Sequence, residues 1–179
     1  MADYPGWWAV AGGWAIDLFL GRQTRPHADV DIAVRRDEQS ELRRFLHGAD
    51  ARVADHGTLR PWAPDERLSA PLHEIHAAWP DGTRLELLLN DVDAETSTWV
   101  FRRDARIRRL LNLVTRIVDG VPYLSPEVVL LYKAKIPGAK DDADFHAALP
   151  HLAAEARSWL VDAIELAHGS HPWSAVHDS

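Results

Sequence analysis

The chain has no cysteine and a single methionine among its 179 residues. Disulfides, iron–sulfur clusters, zinc ribbons and a cysteine nucleophile are thereby excluded. No apolar run approaches the roughly 20 residues that cross a bilayer. The opening MADYPGWW has neither the basic nor the apolar stretch of a secretory signal. A cytoplasmic protein with no membrane partner is expected. Positive charge is also in short supply: 27 acidic residues against 20 basic ones leave a formal charge of −7. That disfavours coating of duplex nucleic acid by charge alone and suits metal ions or a cationic small substrate.

Hydrophobic residues make up 46% and charged residues 26%, the balance of a folded chain long enough to bury a core without staples. Trp7–Ala11 reads as a short buried strand broken by Gly12-Gly13, and Trp14–Leu20 as a helix stopped by Gly21. Asp29–Val34 alternates as a strand, and Asp37 is placed to cap a helix over Glu38–His47 with Leu42, Phe45 and Leu46 inward. Residues 51–55 read as a strand. Residues 56–71, with three prolines, read as a loop or irregular edge. Hairpins are expected at Pro80-Asp81-Gly82, joining Leu72–Trp79 to Thr83–Leu89, and at Asp119-Gly120, joining Leu113–Val118 to Val121–Leu124. Ser125-Pro126-Glu127 then opens a helical stretch, with Ser as cap and helices over 126–136, 140–149 and 151–168. An α+β chain results: a mixed half, residues 1–124, and a helical lobe, residues 125–179.

Three features point to chemistry. A strand ending in Gly12-Gly13 and opening a helix lets backbone N–H groups approach an anion, though alone it is equally a tight turn. Asp29 and Asp31, two apart on a strand, share one face. Such a pair is either a solvated edge or a hard oxygen site for Mg²⁺. In Arg84-Leu85-Glu86-Leu87-Leu88-Leu89 the leucines at 85, 87 and 89 form one face and Glu86 lies on the other. There it either pairs with a base such as Arg84 or completes an acidic triad for two metals, or for one metal and a general base.

Gly12-Gly13-Trp14-Ala15-Ile16-Asp17, followed by Leu20-Gly21-Arg22-x-Thr24-Arg25-x-His27-x-Asp29-x-Asp31, resembles the aminoglycoside and lincosamide nucleotidyltransferases of the DNA polymerase β-like nucleotidyltransferase superfamily. The resemblance is dense over residues 10–34. The Glu86 strand and the segment from Tyr123 to Lys133 look like later parts of such proteins. It implies a mixed β-sheet flanked by helices, a catalytic domain over 1–124, a helical C-terminal lobe over 125–179, and ATP or another NTP bound between them with one or two Mg²⁺ ions. A nucleoside monophosphate would pass to a hydroxyl of a small acceptor, for this branch an aminoglycoside-type antibiotic. Asp29, Asp31 and Glu86 would be catalytic and metal-holding. Gly12, Gly13, Trp14, Arg25 and Lys133 would bind nucleotide, with Trp14 standing where many superfamily members carry serine.

Three further groups are open to two readings each. His27 suits a phosphate or metal contact or a surface position. Asp141, Asp142 and Asp144 suit a helix start or an acidic wall for a polyamine. The arginines at 102, 103, 106, 108 and 109 suit a solvated face or contact with a macromolecule. The same residues also admit a toxin-like transferase acting on tRNA or protein, or a non-catalytic nucleotide-binding protein.

Overall fold

Glycine turns fold the chain into hairpins. Asp119 and Gly120 (φ 49° and 79°) join β9 (Thr115–Val118) to β10 (Val121–Leu124), and His56 and Gly57 (φ 48° and 81°) join β3 (Asp50–Asp55) to β4 (Thr58–Pro61). Both pairs have positive φ at the two central residues, the twist that adjoining strands require. A computed structural model describes residues 1 and 3–175. The remaining elements are β1 (Trp8–Val10), α1 (Gly12–Leu20), β2 (Asp31–Arg35), α2 (Gln39–Phe45), β5 (Glu74–Ala78), β6 (Arg84–Asp93), β7 (Thr98–Val100), β8 (Arg108–Leu110), α3 (Leu111–Val114), α4 (Pro126–Lys133), α5 (Ala139–Ala148) and α6 (Ala154–His168).

The strands form one mixed sheet in the order β4-β3-β5-β6-β2-β1-β10-β9, with β7 on the far end of β6 and β8 on β7. β2 and β6 are parallel, pairing Asp31 with Glu86, Ile32 with Leu87 and Val34 with Leu89. Paired residues share a face. Ile32, Val34, Leu87, Leu89 and Ile75 therefore form one apolar face, nearly fully buried in a core that includes Leu42 and Leu46 near α2. Asp31 and Glu86 point the other way, toward the side where α4 lies.

Several expectations need correction. Asp37 does not cap α2; it pairs with Arg35, which donates from Nε and Nη2 at 2.9 and 2.5 Å. Ser125 occupies the cap position of α4, but its Oγ donates to the Leu113 carbonyl at 2.9 Å instead of capping. Asp29 lies in a bend ahead of β2, not within the strand. Residues 56–71 contain β4, an edge strand that tolerates Pro61 at its end. Of the arginines at 102–109, Arg103, Arg106 and Arg108 are exposed, as in a solvated face, whereas Arg102 and Arg109 are partly buried. Arg106 pairs with Asp104, Arg103 donates to the Tyr132 carbonyl, and Arg109 lies 3.1 Å from the buried Glu127.

Glu127 ties the sheet to the helical lobe. It stands in the first turn of α4, faces Arg109 of β8 and Arg116 of β9, and Arg109 lies 4.4 Å from the Trp159 ring of α6. At 1% exposure its removal strands a half-buried guanidinium. Glu127→Ala is expected to cost about 3–5 kcal/mol, the usual penalty for halving a buried pair. Urea unfolding checks this, and a loss under about 1 kcal/mol would mean the pair is solvated.

Candidate active site

The antiparallel pairing of β1 with β2, Val10 opposite Ile32, carries the chain past Asp31 and straight into α1. The Ala11 N–H donates to the Asp31 carbonyl at 2.8 Å. Gly12 has φ 58°, and a Cβ there would overlap the Asp31 carboxylate. Only glycine meets both conditions without strain. A side chain at Gly13 would overlap His27 and Arg25. The first N–H groups of α1 have no partner within the helix, so the Gly-Gly step presents donors beside a carboxylate.

Asp31 and Glu86 are register partners, and Asp29 is held above them by its own backbone: the Trp14 indole donates to the Asp29 carbonyl at 3.1 Å. Among the described residues neither Asp29 nor Asp31 has a side-chain hydrogen bond or ion pair. Burial pushes the Asp31 carboxyl above the usual range, and Asp29 and Glu74 push further, against the pull of Lys133 and Lys140. Burial also raises Glu86, opposed by His76 and reinforced by Asp29, Asp31 and Glu74. Asp31 and Glu86 are half-buried, Asp29 is exposed, and Glu86 lies 3.5 Å from His76 Nδ1; acids whose charges raise a neighbour's pKa in this way fit a hard divalent cation such as Mg²⁺. Glu86 also faces a second group. Donor atoms of Glu74, His76 and Glu86 lie within 4.8 Å of one another, and His76 Nε2 is 2.7 Å from Glu74 Oε1.

The loop between α1 and β2 is organised by Asp17, which is buried. Its Oδ1 accepts from the Thr24 N–H (2.9 Å) and Oγ (2.5 Å), and its Oδ2 lies 2.5 Å from His27 Nε2. Burial opposes ionisation of Asp17, but the bonds from Thr24 and His27 outweigh it and lower the pKa. His27 thus packs inward against Asp17 and Trp14, not at the surface, with its ring beside Gly13.

Arg25 and Lys133 both converge on Asp144. Arg25 Nε and Nη2 each reach it at 3.0 Å, while Lys133 Nζ lies 3.0 Å from Asp144 and 2.6 Å from Asp141. Asp144 is 1% exposed. Asp142 accepts from the Trp173 indole at 2.8 Å. The three aspartates are therefore engaged within the lobe and form no open acidic wall. Arg25 stays against Gly13, and Lys133 still borders Gly12 and Asp31.

Two cavities are lined by these carboxylates. One, of about 200 Å³, is lined by Gly12, Asp31, Asn90, Arg102, Tyr132 and Lys133 among others. The other, of about 530 Å³, is lined by Trp14, Asp29, Asp50, Arg52, His76 and Glu86 among others. Sequence reasoning singled out neither Asp17 nor His76 for the site. His76 was within reach: counting back from the Pro80-Asp81-Gly82 turn puts it opposite Glu86. Asn90 had no such signal, because its partners Trp99 and Tyr132 come from distant elements.

Residues 2–146 match the family model described as aminoglycoside-2''-adenylyltransferase. Curated 2''-aminoglycoside nucleotidyltransferases of Klebsiella pneumoniae and Escherichia coli are 38% identical over 53 residues, 30% of this chain and 29% of theirs. That match spans less than a third of the relatives' length. The lincomycin-bound lincosamide antibiotic adenylyltransferase LnuA superposes with a TM-score of 0.53 at 17% identity, covering 79% of this chain and 84% of its own. ANT(2'')-Ia in complex with adenylyl-2''-tobramycin gives 0.52 at 20% identity, covering 87% and 86%. These two share the nucleotidyltransferase fold, an α+β mixed sheet with helices. With the family model spanning most of its length, the chain belongs to the aminoglycoside-2''-adenylyltransferase family.

Proposed function

We propose that the chain transfers a nucleoside monophosphate, with ATP as donor, to a hydroxyl of an aminoglycoside-class acceptor, releasing pyrophosphate. One observation carries this reading: neighbouring carboxylates line two cavities of different character, Asp31 the smaller and Asp29 and Glu86 the larger. The smaller is walled by backbone donors, an arginine and a lysine, and suits a polyphosphate. The larger holds Asp29 and Glu86 beside the Trp14 indole, with Arg84 and Asp50, itself paired to Arg52, at its wall, and suits a hydroxylated acceptor whose cationic groups meet Asp29 and Glu86. A cytoplasmic location goes with an NTP donor. The domain division at Leu124 and Ser125 separates the acids from the lobe that supplies Lys133 and Tyr132.

The acceptor oxygen attacks the α-phosphorus, the bond to the β-phosphate oxygen breaks, and the electron pair leaves on pyrophosphate. Glu86, on the acceptor side, takes the hydroxyl proton. Asp29 and Asp31, with Glu86, would hold Mg²⁺, which when bound neutralises charge on the phosphoryl oxygens. Gly12 and Gly13 supply N–H donors, and Trp14 fixes Asp29 through its carbonyl. Arg25 and Lys133 act from behind, keeping positive charge near the helix start while bound to Asp144. The acidic net charge and the ties of Arg103, Arg106 and Arg109 within the chain favour a small acceptor over a macromolecule. A non-catalytic role leaves the crowding of three acids without a purpose.

Asp29→Asn or Asp31→Asn is expected to cut transfer at least about 10²-fold, the scale of one lost electrostatic contact in the transition state, with the fold unchanged by circular dichroism. Near-parental turnover in either variant would overturn the metal assignment.

A thermal measurement tests the same carboxylates without turnover. Because the Asp31 pKa is raised in the fold, its stabilising share is full below the ordinary carboxylate range and is lost as pH rises through the raised value. At neutral pH, Asp31→Asn should therefore raise the Tm of metal-free protein by a few degrees. It should also abolish the rise that Mg²⁺ gives the parent. A parent Tm indifferent to Mg²⁺ would remove the site.

The acceptor class is checked by salt. KM for an aminoglycoside should climb between low salt and physiological ionic strength, where exposed charges are screened over about 8 Å. A flat KM would point to an uncharged acceptor.

A further inference from the structure

We propose that Arg102 is the residue that grips the pyrophosphate end of the nucleotide. The proposal rests on the nucleotidyl-transfer reading and names a binding residue that sequence reasoning had left in a general basic cluster. Two cations line the smaller cavity, Lys133 and Arg102. Lys133 is committed: its ammonium already bridges Asp141 and Asp144 at 2.6 and 3.0 Å. Among the described residues Arg102 has no carboxylate partner, and neither do Arg103 and Arg108, but those two donate to the Tyr132 and Ala105 carbonyls and Arg102 alone of the three lines the cavity.

Arg102 is also held in place. It follows Phe101, which is fully buried, in a turn closed by three backbone bonds: Phe101 N–H to the Ile107 carbonyl, Asp104 N–H to the Phe101 carbonyl and Ile107 N–H to the Asp104 carbonyl. Its guanidinium carbon lies 4.7 Å from the centre of the Tyr132 ring. Tyr132 is fixed in turn, its hydroxyl donating to Asn90 Oδ1 at 3.1 Å, where the Trp99 indole also donates at 3.0 Å. A guanidinium positioned over an aromatic face keeps its charge and can turn its remaining N–H groups to a planar, two-pronged partner. The cavity that Arg102 shares with Asp31 and Gly12 holds about 200 Å³, well under half the volume on the acceptor side. That suits phosphates better than a nucleoside and acceptor together. A phosphate chain reaching from the α-phosphorus at Asp31 toward Arg102 would meet the backbone donors at one end and the fork at the other.

Calorimetry with ATP, AMP and inorganic pyrophosphate, each with Mg²⁺, tests this on the full chain. Arg102→Ala should weaken ATP and pyrophosphate at least about tenfold, the scale of one charge-assisted contact, and leave AMP within about twofold. Arg102→Gln guards against a packing effect and should give the same pattern. Arg108→Ala, an exposed arginine of the same segment, should bind all three as the parent does. KM for ATP should rise in Arg102→Ala while KM for the acceptor holds. Unchanged ATP and pyrophosphate binding in Arg102→Ala, or equal losses for ATP and AMP, would overturn the role of Arg102 and leave nucleotidyl transfer standing. A folded parent that binds neither ATP nor pyrophosphate would overturn both.

Discussion

Everything at this site depends on how closely the Asp31 carboxylate approaches the Gly12 backbone. The approach is set by the short β1–β2 pairing and sealed by the Ala11 N–H to the Asp31 carbonyl. It brings the positive end of α1 beside a carboxylate that burial and its acidic neighbours would otherwise push toward protonation. A methyl group at Gly12 would collide with that carboxylate, and the positive φ would add backbone strain. The strand pairing thus determines where the helix begins, and the start of the helix determines where an anion can bind.

The charges around this point divide into two populations. Those that build the frame are matched: Asp144 with Arg25 and Lys133, Glu127 with Arg109 and Arg116, Asp17 with Thr24 and His27. Pairs buried this deeply contribute little net stability against apolar substitutes, but they are costly to break and they fix orientation. They bind the α1–β2 loop to α4 and α5, so the helical lobe positions the loop that carries Asp29. The second population is unmatched: Asp29, Asp31 and Arg102. Like charges held close without partners store repulsion that a ligand of opposite sign can relieve.

Local signals in the chain were legible and distant ones were not. Gly12-Gly13, Gly21 and the two Asp-Gly turns mark where the backbone must bend, and each reports its own neighbourhood. The alternation of Leu85, Leu87 and Leu89 put Glu86 on the face it occupies, and β2–β6 pairing brought it to Asp31. Asp29 was misread as a strand residue because period two extends through it, whereas Trp14 holds it in a bend. Asp37 was misread as a cap because Arg35, two residues back, competes for its carboxylate. β7 and β8 went unseen because each has only three residues, and their pairing is long-range. The engagement of Lys133 and of the three aspartates of α5 is tertiary and leaves no mark at sequence spacing.

The asymmetry of the two cavities bears on the direction of the proposed reaction. Displacement at phosphorus places the incoming oxygen and the leaving oxygen on opposite sides of the atom attacked. Glu86 and Asp29 border the larger space, and Gly12, Asp31, Lys133 and Arg102 border the smaller. An acceptor hydroxyl can thus meet a proton acceptor on one side while negative charge accumulates on the other, where the donors are. Reversed, a cationic acceptor would face Arg102 and Lys133, and pyrophosphate would face Asp29 and Glu86. The unequal charge of the two walls therefore favours one orientation of donor and acceptor before either is bound, which is the electrostatic form of preorganisation.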